Sequence, residues 1–317
     1  MRKHLLLFLM ALLTLTASAK TVEINGIWYN LKGGAAEVTS NPNAYTGAVD
    51  IPASVTYEGV SYRVTGIGEF AFYESNGLTS VSIPGSVTNI SNSAFQECSD
   101  LTTVAISKGV KTIGDFAFYG CISLTSVNIP KSVKSIGSSA FADCCDLTAI
   151  DIPKGVKAIG DFAFSDCTGL TSVSIPKGVT GIGNAAFRNC SSLSSVTIPK
   201  SVTRIGNYAF RGCSALTFID IPKSVTYIGK AAFAGCNGMN TVVIPKSVTV
   251  IGNDAFYVYG SKREVFCHAT TPPEVFGGLA FDPYTTIVLH VPAASVKAYQ
   301  SKKSWSNYMK IKIVAIE

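Results

Sequence analysis

Apolar residues recur along the chain at fixed positions with a period of 23, and eight consecutive copies of the pattern occupy residues 78–261. The clearest copy, residues 170–192, reads LTSVSIPKGVTGIGNAAFRNCSS. Numbered from its first residue, position 1 holds Leu78, Leu101, Leu124, Leu147, Leu170, Leu193, Leu216 and Met239. Position 6 is isoleucine from Ile83 to Ile244, and position 18 is phenylalanine from Phe95 to Phe256. Leucine at position 1 followed by β-branched residues at positions 4 and 6 predicts a strand, ended by proline at position 7 in seven of the eight copies. Val and Ile at positions 10 and 13 predict a second short strand, closed by glycine at position 14 in seven of the eight copies. The Asp-Phe-Ala-Phe segment around position 16 predicts about one helical turn. A unit this small buries too little apolar surface to fold alone, so the coils must stack about 4.8 Å apart, as strands do. The expected fold is one elongated repeat solenoid, β-rich with short helical turns and capped at both ends.

The flanks leave the register. Residues 22–31 alternate like a strand, and residues 57–62 read as a hairpin around Glu58-Gly59. With Trp28, Tyr29 and Tyr57 they predict an N-terminal cap over residues 20–62, covering raw sheet edge and core. Ile51-Pro52 matches the repeat but lies 32 residues before Ile83, so nine extra residues are expected to form the hairpin. The solenoid is assigned to residues 63–261, and the last repeat with the C-terminal cap to residues 262–317. There Val265 and Cys267 fall at positions 4 and 6, residues 270–273 break the pattern, and 286–291 and 310–316 read as strands around a helix at 293–302. Trp305 and Tyr308 are expected to seal this end. At the other extreme, Arg2 and Lys3 precede an apolar run over 5–15 and then Ala17-Ser18-Ala19, predicting a signal peptide over residues 1–19 cut after Ala19. No transmembrane segment is expected in the mature chain, and no cysteine follows the cut to support a lipid anchor.

The consensus L-T-S-V-x-I-P-K-x-V-x-x-I-G-x-x-A-F-x-x-C closely resembles the BspA-type leucine-rich repeat. The ending Val-Pro-Ala-Ala-Ser-Val-Lys-Ala-Tyr299, with Trp305 following, is similar to the C-terminal unit common in those proteins. This resemblance covers nearly the whole mature chain. It implies a leucine-rich-repeat right-handed superhelix. It also implies secreted or surface-displayed proteins, chiefly of host-associated anaerobic bacteria, that adhere to host matrix proteins or other cells.

Charge changes the picture through its placement. Lys and Arg total 26 against 20 Asp and Glu, a formal +6 that falls to about +4 without Arg2 and Lys3, too little for a nucleic-acid signature. Lysine, however, stands at position 8 in seven consecutive copies: Lys108, Lys131, Lys154, Lys177, Lys200, Lys223 and Lys246. Lys111, Lys134 and Lys157 at position 11 thicken the row. Stacked about 5 Å apart, they predict a basic ridge for a polyanion such as an acidic glycan or acidic host surface; solubility and protection of a turn are the plainer reading. At position 16, Phe70, Phe116, Phe162 and Tyr208 alternate with Ser93, Ser139, Ala185 and Ala231. The rings either fill volume over small neighbours or face outward about 10 Å apart, suited to sugars or an apolar partner. Thr217, Phe218 and Asp220, with Tyr227 nearby, form the most distinctive local surface.

Seven of the nine cysteines occupy position 21, from Cys98 to Cys236. Parallel Cβ atoms in stacked coils oppose disulfides, so small apolar filler is the expectation. Cys145, beside Cys144, is expected to be the more exposed. No C-x-x-C pair or mixed Cys/His spacing supports zinc, and no cofactor is indicated. The only histidines after the signal segment are His268 and His290. Alternation places Cys267 and His268 on opposite strand faces, which defeats a Cys-His nucleophile, and carboxylates form no repeated facing pair. The sequence therefore reads as an exported, non-enzymatic binding or adhesion protein, secreted or at the cell surface, that meets host or neighbouring-cell macromolecules. A second reading is a structural scaffold of the envelope, surface or periplasm. Proteinase treatment of intact cells separates the two, stripping a displayed protein and sparing an enclosed one.

Overall fold

The computed structural model describes residues 19–258 and 262–316; the signal segment expected over 1–19 lies, but for Ala19, outside them. Residues one period apart pair in register on two sides of each coil. On the first side, parallel strands run in order from Gly47–Asp50 through Leu78–Ile83, Thr103–Ile106, Ser126–Val127, Ala149–Asp151 and Ser172–Ser174 to Ser195–Thr197. Pairs such as Val127 with Ile150 and Ile150 with Val173 keep every apolar position facing inward. A further sheet of four strands, Thr241–Ile244, Arg263–Cys267, Thr286–Val291 and Lys310–Ala315, continues this side after a gap at the coil of Phe218. The second side carries the short strands around position 13. It breaks once, between Ser135–Ile136 and Ala158–Ile159. Position 14 is glycine because the coils touch there: a Cβ on Gly206 would lie 2.6 Å from the Gly183 carbonyl carbon.

The third side differs from the helical turn expected for it. Positions 16 and 20 are left-handed, as at Phe116 (φ 56°), Ser139 (φ 53°) and Asp143 (φ 58°). Alternate amides then do different work. Those of positions 16, 18 and 20 donate to the next coil (Phe116 N–H to Ser138 O, Phe118 to Ala140, Gly120 to Ala142), while those of 19 and 21 close turns within their own coil. An α-turn would spend all of these donors locally and leave the coils unjoined.

Phenylalanines at position 18 run through the middle of a core that also takes the Leu, Ile, Val and Cys positions of the coils. The sequence pattern runs from Phe95 to Phe256, and the structure adds Phe72 and Phe281, giving a column of stacked rings with centroids 4.7–5.7 Å apart. Tyr45 closes its first end, 4.5 Å from Phe72. Trp305 and Tyr308 meet Phe281 edge-on at 6.5 and 6.1 Å. Tyr29 is buried beside the first end, whereas Trp28 is half-buried. The hairpin is Ser54–Tyr57 against Val60–Ile67, with Glu58 and Gly59 at positive φ, so the nine additional residues sit there. Residues 270–273 hide a continuing second side: Glu274–Phe276 pairs with Val250–Gly252, and a two-residue offset brings Phe281 under the column. Residues 293–306 form a 3-10 turn, Ala293–Ser295, and two short helices, Val296–Ser301 and Lys303–Ser306. Among the described residues, no helix is long and apolar enough to cross a membrane.

Candidate functional site

Position 8 lies at the turn between the two sheets, after the proline that ends the first strand or, at Lys108, after Ser107. All ten lysines of positions 8 and 11 are exposed. None of them is in an ion pair among the described residues. Across residues 78–261, positions 7 to 12 contain no Asp or Glu in any copy, while positions 15, 20 and 23 carry Asp115, Asp161, Glu97, Asp143, Asp166, Asp100 and Asp146. The coil therefore has a basic edge and a separate acidic side, which Arg188, Arg211 and Lys230 interrupt in the later coils. That segregation was readable from the repeat once positions were compared by sign of charge.

The two lysine rows converge. A Cβ on Gly155 would lie 2.7 Å from Lys134 Cδ, and one on Gly178 would lie 3.2 Å from Lys157 Nζ. Lys134 and Lys157 thus lie across the next coil, beside Lys154 and Lys177. In five other coils position 11 is threonine, and its hydroxyl donates to the carbonyl of the preceding coil at 3.2–3.4 Å (Thr88, Thr180, Thr203, Thr226, Thr249). Lys111, Lys134 and Lys157 forgo that bond, so the fold has no need of lysine there. Two charges about 5 Å apart in water repel by about 1 kcal/mol, less in salt. The break in the second sheet falls between the coils of Lys134 and Lys157. It coincides with Ser138, whose side chain is too short to continue the position-15 ladder in which Asn92 and Asp115 each accept the next coil's amide, at 2.9 and 2.7 Å.

The position-16 rings face solvent: Phe70, Phe116 and Phe162 are 47, 42 and 40% exposed, and Tyr208 is half-buried. Their small alternates Ser93, Ser139, Ala185 and Ala231 are buried between them. Tyr73 and Tyr119 brace the first two rings edge-on, at 5.6 and 5.9 Å. Beside this row runs an open groove of about 620 Å³, lined by Glu37, Glu69, Asn89, Asn92, Thr112 and Asp115 among others.

Phe218 (53% exposed) and Asp220 share the outer face of the first side, with Ile219 buried between them. Tyr227 stands instead on the second sheet, where it stacks under the Arg204 guanidinium at 3.9 Å. The structure thus splits that residue group across a turn. Thr217 is exposed beside Phe218.

The position-21 cysteines are buried free thiols with more than a filling role. Each Sγ–H points at the position-18 carbonyl of the preceding coil, as in Cys121 to Phe95 (3.0 Å) and Cys213 to Phe187 (3.1 Å). Burial pushes the ionisation of the thiols from Cys121 to Cys213 up, and that of Cys236 to about 12. Cys145 is half-buried. Cys267 faces inward against Tyr299 Oη at 3.1 Å while His268 faces out. His290 meets Glu264 at 2.8 Å and stacks on Phe266 at 4.3 Å. The hydrogen bond from His290 holds the Glu264 carboxyl below its usual range. Their surroundings are an ion pair with Lys262 and a sheet surface, an arrangement that braces the terminal strands.

A family model described as the BspA type leucine rich repeat region matches in six copies, over residues 54–144 and 135–261. No curated protein sequence matches the chain. A leucine-rich repeat protein from Eubacterium ventriosum superposes with a TM-score of 0.50 at 19% identity, covering 91% of this chain and 82% of its own. One from Bacteroides ovatus gives 0.49 at 22%, covering 93% and 100%. A leucine rich cell surface protein from Faecalibacterium prausnitzii gives 0.49 at 24%, covering 93% and 95%. At these identities the likeness concerns the fold.

Proposed function

Because the chain belongs to the BspA-type leucine-rich repeat family, we propose that it is an exported, non-enzymatic binding protein that adheres to host or neighbouring-cell macromolecules. The partner is polyanionic, with acidic glycans foremost and acidic host matrix proteins next. One observation carries this reading: ten exposed lysines without ion-pair partners among the described residues lie on consecutive coils, along an edge free of carboxylates. A rigid row of cations meets a flexible polyanion at many points at once, and the counterions released make such binding steeply salt-dependent. The leader-like start supports export, and the family resemblance supports secretion or surface display over a periplasmic scaffold.

The test is retention on heparin. Reversing Lys131, Lys154, Lys177 and Lys200 to Glu should lower the salt needed for elution and flatten the salt dependence of binding. Retention equal to that of the unaltered protein would refute the basic edge as the binding surface.

A further inference from the structure

The aromatic row on the other side of the coil has the opposite chemistry, and its geometry leads us to propose a second binding site there, for an extended uncharged polysaccharide. Phe70, Phe116 and Phe162 are large apolar rings left in water on a rigid backbone. Each is also in a left-handed conformation, with φ of 56°, an outlier for a bulky residue that costs on the order of 1–3 kcal/mol. The neighbouring coils hold the same conformation with Ser93 or Ala185, which bury their side chains. The backbone is thus satisfied by a small residue, and packing alone gives no reason for the rings.

What would cover them follows from spacing and charge. The rings stand two coils apart, about 10 Å, with buried small residues between them. That makes separate flat platforms rather than the continuous apolar patch of a protein interface. One residue before Phe70 and Phe116 lie Glu69 and Asp115, which with Asn92 line the adjoining groove. Ladder bonds fix Asn92 and Asp115 through their Oδ1 atoms. The Asn92 amide nitrogen and the second Asp115 oxygen have no side-chain partner among the described residues. Flat rings beside preset carboxylate and amide groups match a sugar chain, whose ring faces are apolar and whose edges carry hydroxyls. The carboxylates repel a polyanion, and the rings offer stacking that needs no charge, so an uncharged chain suits the site better than an acidic one. This site is independent of the lysine edge.

Native gel electrophoresis through dissolved β-glucan, mannan, xylan and hydroxyethyl cellulose tests the assignment. At least one polymer should retard the full-length mature protein. The double variant Phe116→Ala/Phe162→Ala should weaken that retardation at least about tenfold, from two lost stacking contacts. Alanine occupies the same left-handed position at Ala185 and Ala231, so the variant should fold, with an unchanged thermal melt as the check. The lysine-reversed protein should be retarded as fully as the original. Free migration through all four polymers, or equal retardation of the ring variant, would overturn the proposal.

Discussion

A cysteine repeated every 23 residues invites a disulfide framework, yet here each buried thiol bonds the coil before it. The Sγ–H of Cys213 reaches the Phe187 carbonyl, which also accepts the Cys190 amide at 3.4 Å. Replacing Cys213 with Ala should lower the free energy of unfolding by about 1–3 kcal/mol, through a lost hydrogen bond and a small void. Urea denaturation measures it. Burial also raises the ionisation of Cys213, and that of Cys236 to about 12. Free thiols ionise near 8.5. The native state therefore keeps protons that the unfolded state sheds first. This contribution to stability is complete below about pH 8.5 and is lost as pH rises toward 12. Little of this was legible at the residue scale. Cysteine at position 21 announced burial, but its bond to another coil depends on stacking geometry. Nor does Phe116 or Glu97 carry a local sign of left-handed backbone; at position 20 the sign lies in the other coils, which hold Gly120, Gly212 and Gly235 with Asp143, Asp166 and Asn189.

At the scale of elements, the period fixes what lies next to what. Any residue's neighbour is 23 positions away, so the two strands, the hairpin at Glu58-Gly59 and the phenylalanine column could be read directly. The misread element was the third side, where local propensity for a turn of helix yields to amides shared between coils. Phe281 escaped notice because two inserted residues moved it off the period, and Tyr45 because it joins the column from outside any copy. The column makes coils cooperative: Phe164 touches both Phe141 and Phe187, at 5.7 and 5.4 Å. Phe164→Ala should destabilise the protein by about 3–5 kcal/mol, read from the midpoint of chemical denaturation. A loss below about 1 kcal/mol would mean that the column does not couple the coils.

Across the whole molecule, stacking turns each position into a line of side chains, so one coil's chemistry becomes a long edge. Position 8 becomes a basic edge, position 16 an interrupted row of rings, and the carboxylates of positions 15 and 20 lie on the side of the rings. The lysine rows were visible in the sequence. Their convergence was not, because it depends on Lys134 and Lys157 lying over Gly155 and Gly178 of the following coils. The group of Phe218, Asp220 and Tyr227 looked contiguous along the chain but straddles the turn between sheets.

Lysine acetylation footprinting with and without a heparin fragment addresses the basic edge most directly. Bound heparin should protect Lys131, Lys154, Lys177 and Lys200, and with them Lys134 and Lys157, while Lys297 and Lys303 at the C-terminal end, equally exposed, stay reactive. Equal protection of all of these lysines, or protection of the C-terminal pair alone, would contradict a binding edge built by the repeat.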